Sequence, residues 1–275
     1  MMVSEFSGGL GDVISQIYNS KQYTALEHLP PTQKAMVILM SHNPHVKELF
    51  HWHPNAAQFD IRDVGFWWPL DDPHKRSLHR LPPAQPFHIV RQMHVTFFPS
   101  PEDLKILSTL GPTPYLVINA GAGTVDRNLP MQVCEDALEL IAGEGFRQDS
   151  LRAIAVGSTY SLGNRKEPRL PDSPLLTNLV DRLSVPGTIE LIRKCVGVLC
   201  CFSAMCLAAW YLNKPVFLTY PQHVKRKEFD RPANHYTFGR SRPTTMHMDF
   251  ATYKKSALAL FLRRITNFRG TTPNA

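Results

Sequence analysis

Short apolar runs without polar alternation punctuate the chain at residues 35–40, 115–118, 198–202 and 216–218. An unbroken run of that length suits a strand buried on both faces, the condition of a parallel sheet. The stretch Val198-Leu199-Cys200-Cys201-Phe202-Ser203-Ala204-Met205-Cys206-Leu207-Ala208-Ala209, continuing through Lys214-Pro215 to Val216-Phe217-Leu218, organises the rest. It reads as a strand, a turn at Ser203, a small-residue helix as far as Leu212 and a second strand, which is a βαβ unit. Ligands of such sheets sit beyond the carboxyl ends of the strands. Ser203 lies at one of those ends.

Taken in order, the chain opens with a minimal strand at residues 2–6, then Ser7-Gly8-Gly9-Leu10-Gly11-Asp12 and a helix carrying Val13, Ile14, Ile17, Tyr18 and Lys21. A glycine turn between strand and helix lets backbone approach a ligand and offers N–H groups to an anion. The spacing is not the G-x-G-x-x-G of dinucleotide binding, and a tight turn with Asp12 capping the helix accounts for the same residues. A second strand at 35–40 leads to a helix start at Ser41-His42-Asn43-Pro44. Trp52, Phe66, Trp67 and Trp68 then alternate with Pro and His, in a region that holds an acceptor molecule or closes the core of a small lobe. Residues 88–91 and 94–98 read as the last strand segments of this lobe. A helix at 102–110 between proline-rich ends marks a boundary.

The second lobe begins with the strand at 115–119 and the loop Ala120-Gly121-Ala122-Gly123-Thr124-Val125-Asp126-Arg127-Asn128-Leu129-Pro130. A helix with Val133, Cys134, Ala137, Leu138 and Ile141 at helical spacing follows. Strands are expected at 152–157 and 179–183 and a helix at 188–194, leading into the βαβ unit above. Five parallel strands with intervening helices make a doubly wound sheet. From Asp249 a final helix shows Tyr253, Ala257, Phe261, Ile265 and Phe268 on one stripe. The expected organisation is α/β: a lobe at 1–110, a second at 111–248, and a C-terminal helix and tail at 249–275.

Charge and cysteine usage change this picture locally. The net charge is +7, yet eleven of the thirty Lys and Arg, and three of the twenty-three Asp and Glu, fall after residue 220. The basicity is thus a property of the C-terminal fifth, pointing either to a local anionic partner, such as an anionic surface, or to a solvated tail. Cys134, Cys195, Cys200, Cys201 and Cys206 sit in apolar sequence without a C-x2-C pair, so they read as buried small hydrophobes of a reducing cytoplasm, not as zinc ligands or disulfides. No run of eighteen apolar residues and no signal-peptide pattern occurs, so neither a spanning helix nor a cleaved leader is expected.

The second glycine loop carries the most chemistry. Gly121 and Gly123 let a phosphate approach main-chain N–H groups, Thr124 adds a hydroxyl, and Arg127 adds a cation with bidentate reach. A diphosphate fits that set. The N-terminal Gly-Gly-Leu-Gly-Asp-Val-Ile, the Ile-Asn-Ala-Gly-Ala-Gly followed by Arg-Asn-Leu-Pro, and the Ser-Ala-Met-Cys-Leu-Ala-Ala followed by Lys-Pro-Val-Phe-Leu resemble, in order and spacing, three landmarks of the heptosyltransferase family, glycosyltransferase family 9. The resemblance spans about residues 3 to 220. It implies a GT-B architecture of two facing Rossmann-like lobes, with the nucleotide sugar on the second and the acceptor on the first. It also implies that Asp12, in the turn with Gly9 and Gly11, is the general base. Arg127, together with the helix start at Ser203, Ala204 and Met205, would hold the donor, with no metal and no further cofactor. Where the family has Asp-Ser/Thr-Gly-Pro-x-His, this chain has Cys201-Phe202-Ser203-Ala204-Met205-Cys206, without the acid and the imidazole.

The leading expectation is an inverting glycosyltransferase that moves a sugar from a nucleotide-diphosphate sugar to an envelope saccharide or glycolipid. The basic cluster with Lys225, Arg226 and Lys227 permits a nucleic-acid acceptor, such as a modified DNA base. The missing Asp and His favour, as the alternative of another class, a non-catalytic nucleotide-sugar or nucleic-acid binding protein that keeps the fold. Ser203 lacks the G-x-S-x-G elbow of a hydrolase.

Overall fold

The computed structural model describes residues 1–7, 9–19, 21–41, 43–63, 95–122, 127–143, 151–159, 170–221 and 244–267. They divide into two units, one running to Phe98 and the other starting at Pro99. The helix at the end of the expected 1–110 lobe, Pro101–Thr109, is grouped with the second unit.

The first unit holds β1 (Met2–Ser7), α1 (Leu10–Asn19), α2 (Lys21–Glu27), β2 (Ala35–Met40), a 3-10 turn at Pro44–Lys47, α3 (Glu48–His51) and β3 (Phe59–Asp63). The three strands are parallel in the order β1-β2-β3. Alternation in β2 buries Ala35, Val37 and Leu39 on one face. Val13, Ile14 and Ile17 of α1, Tyr23 and Leu26 of α2, and Leu49 and Phe50 of α3 are buried as well. Phe6 and Phe50 meet at a centroid distance of 5.0 Å, and Tyr23 lies 5.7 Å from Phe50 and from Phe97. Of the expected strand at 94–98, residue 94 lies outside the described residues and 95–98 pair with no described strand, although Val95 and Phe97 are buried. The expected segment at 88–91 lies outside the described residues.

The second unit holds α4 (Pro101–Thr109), β4 (Tyr115–Asn119), α5 (Met131–Ala142), β5 (Arg152–Val156), β6 (Leu176–Asn178), α6 (Val185–Lys194), β7 (Gly197–Cys201), α7 (Ala204–Tyr211), β8 (Val216–Tyr220), β9 (Thr245–Asp249) and α8 (Lys255–Asn267). All six strands are parallel, ordered β6-β5-β4-β7-β8-β9. Counted from the first strand of this sheet, that order is 3-2-1-4-5-6, the doubly wound order in which the chain reverses direction between the first and fourth strands. The unbroken burial of β4, β7 and β8 follows from their position at its centre.

The second sheet and the final helix differ from the expected bounds at two places. The third strand of this sheet lies at 176–178 and not at 179–183, because Asp181 takes a left-handed φ of 56° that ends the extended chain. Asp249 closes a sixth strand and does not begin the final helix, which starts at Lys255. The α8 stripe of Leu258, Phe261, Leu262 and Ile265 is buried on this sheet, with Phe261 5.6 Å from the Phe217 ring. Among the described residues no helix is long and apolar enough to cross a membrane.

Candidate functional site

The reversal between β4 and β7 leaves a crevice beyond their carboxyl ends, where open α/β sheets bind ligands. Asn119 is the last residue of β4 and is 2% exposed. Its Nδ2 donates to Ser203 Oγ at 2.6 Å and to the Gly121 carbonyl at 3.1 Å, so one amide spans both sides of the crevice. The Cys201 thiol donates to the Asn119 carbonyl at 3.5 Å.

Ser203 is the N-cap of α7, yet its side chain makes no capping bond. A serine at that position ordinarily accepts from an N–H of the first turn. Here the hydroxyl is turned to Asn119, so the first-turn N–H groups of α7 receive no cap from the Ser203 side chain. Such a terminus, with its partial positive charge, suits an anion.

The loop from Ala120 to Leu129 is closed by the Leu129 N–H to the Ala120 carbonyl and by the Ala122 N–H to Asn128 Oδ1, both at 2.9 Å. That closure fixes Arg127, whose guanidinium carbon lies 5.8 Å from the centroid of the Phe202 ring, the residue just before Ser203. A cation over an aromatic face gains about 0.5–1 kcal/mol when partly exposed. Arg127 Nε is buried without a hydrogen-bond partner among the described residues. The site thus combines an uncapped helix end, a serine hydroxyl and a cation.

The positions where acid and imidazole are missing are buried. Cys201 and Cys206 are both fully enclosed. Burial, then the neighbouring Cys200, push the Cys201 thiol far up, and burial with a hydrogen bond to Cys206 does the same to Cys200. Burial likewise pushes Cys134 and Cys195 up to about 12. All five cysteines are free of disulfides, and among the described residues no three His, Cys, Asp or Glu side chains group as metal ligands do.

In the first unit, Gly9 precedes α1 and Gly11 and Asp12 belong to its first turn. Asp12 Oδ2 accepts the Gly9 N–H at 2.9 Å, the reach-back half of a capping box.

No family model matches the chain, and no curated protein does. Solved structures match over nearly its whole length. The structure of E. coli ADP-heptose lps heptosyltransferase II superposes with a TM-score of 0.59 at 12% identity, covering 98% of this chain and 100% of its own. E. coli heptosyltransferase WaaC with ADP gives 0.54 at 12% identity, covering 97% and 98%. A family 9 glycosyl transferase from Veillonella parvula gives 0.53 at 10% identity, covering 99% and 90%. The chain has the fold of the heptosyltransferases.

Within that fold, Arg127, Gly121, Ser203, Ala204 and Met205 collect at one crevice of the second unit, while Gly9, Gly11 and Asp12 occupy the first turn region of the other. Gly123, Thr124, Lys225, Arg226 and Lys227 lie outside the described residues. Asn119 and Asn128 were not singled out by the sequence. A polar residue closing an apolar strand just before a glycine loop was the available signal for Asn119.

Proposed function

We propose that the chain is a glycosyltransferase that takes a nucleotide-diphosphate sugar on its second lobe and a saccharide or glycolipid acceptor on its first. The observation that carries this reading is the crevice at the chain reversal, where Asn119 holds Ser203 off the α7 terminus and Arg127 stands beside it. Helix N–H groups, a hydroxyl and a guanidinium are the donors that a departing diphosphate requires. Since the WaaC structures contain ADP and ADP-2-deoxy-2-fluoro heptose, an adenosine diphosphate sugar is the first donor to try.

In the proposed step Asp12 accepts the acceptor's hydroxyl proton, the oxygen attacks the anomeric carbon, and the bond to the diphosphate breaks with its electron pair leaving on the nucleotide. Attack opposite the leaving group inverts the anomeric centre. Charge neutralisation by Arg127 and α7 takes the role that a metal has in other nucleotide-sugar enzymes. Capping and proton acceptance are compatible, because a carboxylate offers two oxygens and about four lone-pair sites.

The test is release of nucleoside diphosphate from the donor in the presence of an envelope oligosaccharide fraction. Asp12→Asn keeps an oxygen for the Gly9 N–H but removes the base, so turnover should drop about 10²- to 10⁴-fold with folding intact. Undiminished turnover would leave Asp12 as a helix cap only.

A further inference from the structure

We infer that Asn119 is a positioning residue for the diphosphate seat, acting through Ser203: it withholds the serine from capping α7 and directs its hydroxyl hydrogen to the ligand. This rests on the functional reading above and deepens it. Asn119 is buried to 98% by its 2% exposure, and both hydrogens of its Nδ2 are engaged, one by Ser203 Oγ at 2.6 Å and one by the Gly121 carbonyl at 3.1 Å. Ser203 Oγ therefore serves as an acceptor on the Asn119 side, and its own hydrogen is available to a further acceptor. Within the protein that hydroxyl meets the Cys201 sulfur. A thiol is a weak acceptor, and a phosphate oxygen is a much stronger one.

The backbone around Asn119 is shaped to keep it in place. Gly157 follows β5, the strand paired with β4, and has a φ of 134° that side-chain-bearing residues rarely adopt. A Cβ there would stand 3.1 Å from Asn119 Oδ1, closer than nine in ten real contacts. The Cys201 thiol holds the Asn119 carbonyl from the other flanking strand, β7. The two strands that flank β4 thus leave room for the amide oxygen on one side and hold the main chain that carries it on the other.

The experiment is a double-mutant cycle read by calorimetry, using ADP, GDP, UDP, CDP and dTDP and, for the diphosphate that binds, its parent nucleoside. Asn119→Ala should weaken diphosphate binding about ten- to a hundredfold, the range for a lost hydrogen bond to a charged group, and nucleoside binding less than about twofold. If Asn119 acts through Ser203, then Asn119→Ala placed on Ser203→Ala should add little to the loss of Ser203→Ala alone. Asn119→Asp, nearly isosteric, should weaken the diphosphate at least as much, because its carboxylate adds a charge beside the phosphates. Melting without ligand checks that each variant folds, and Asn119→Asp carries the test if the alanine variant does not. Additive losses, or equal losses for diphosphate and nucleoside, overturn the positioning role while the glycosyltransferase reading stands. A wild-type protein that binds none of the five diphosphates overturns both.

Discussion

Arg127 is the residue on which the proposed donor chemistry turns most simply. Its proposed partner is phosphate, so Arg127→Ala should cost about 1.5–3 kcal/mol in nucleoside-diphosphate binding and little in nucleoside binding, measured by calorimetry. His53 supports a different residue-scale prediction. Its ring packs among Tyr23, Phe59 and Phe98, Nδ1 accepts the Asn55 N–H at 3.1 Å, and Nε2 is buried without a partner among the described residues. Burial lowers its pKa from 6.5 to about 4. Between those values the unfolded chain binds a proton that the folded chain refuses, so stability is full above about pH 6.5 and falls as pH drops towards 4. Urea midpoints from pH 7 to 4 should show this loss, and His53→Gln should flatten it by less than one proton's worth. A slope unchanged in the variant would contradict it. The residues proposed for the chemistry stand out in the sequence where they occupy glycine-rich or small-residue turns, as Asp12, Arg127 and Ser203 do. Asn119 was not legible, because its proposed role comes from a contact with a residue in another strand-to-helix turn.

At the scale of elements, one buried carboxylate ties two helix starts together. Asp103, in the first turn of α4, accepts the Ser100 N–H at 2.8 Å within a capping box. It also accepts the Ser184 N–H at 2.9 Å and its hydroxyl at 2.5 Å, and Ser184 caps α6 in turn. Gly187 lies so close that a Cβ would stand 2.4 Å from Asp103 Cγ. Two N-caps therefore depend on Asp103, and Asp103→Ala should cost about 2–4 kcal/mol, read from urea unfolding. A loss under about 1 kcal/mol would mean the helices are capped otherwise. Central strands were legible for a physical reason: β4, β7 and β8 are buried on both faces and must be apolar throughout. Edge strands have no such requirement. β3, with exposed Asp60 and Arg62 paired at 2.9 Å, and β9, half-buried along its length, carry polar residues and left no readable run.

For the molecule as a whole, the sequence reading of two α/β lobes agrees with the parallel three- and six-stranded sheets and with the fold of the heptosyltransferase structures. A fold of this kind hosts many activities, so function has to be argued from the site. We propose that the crevice at the β4–β7 reversal holds the diphosphate of a nucleotide sugar. Thermal melting against a panel of nucleotide-diphosphate sugars, ADP-heptose first, tests it most directly. At 100 times its dissociation constant, a bound donor should stabilise the fold by about 2.7 kcal/mol, and Arg127→Ala should shrink that gain at the same concentration. No stabilisation by any member of the panel, or stabilisation that Arg127→Ala leaves untouched, would contradict the account.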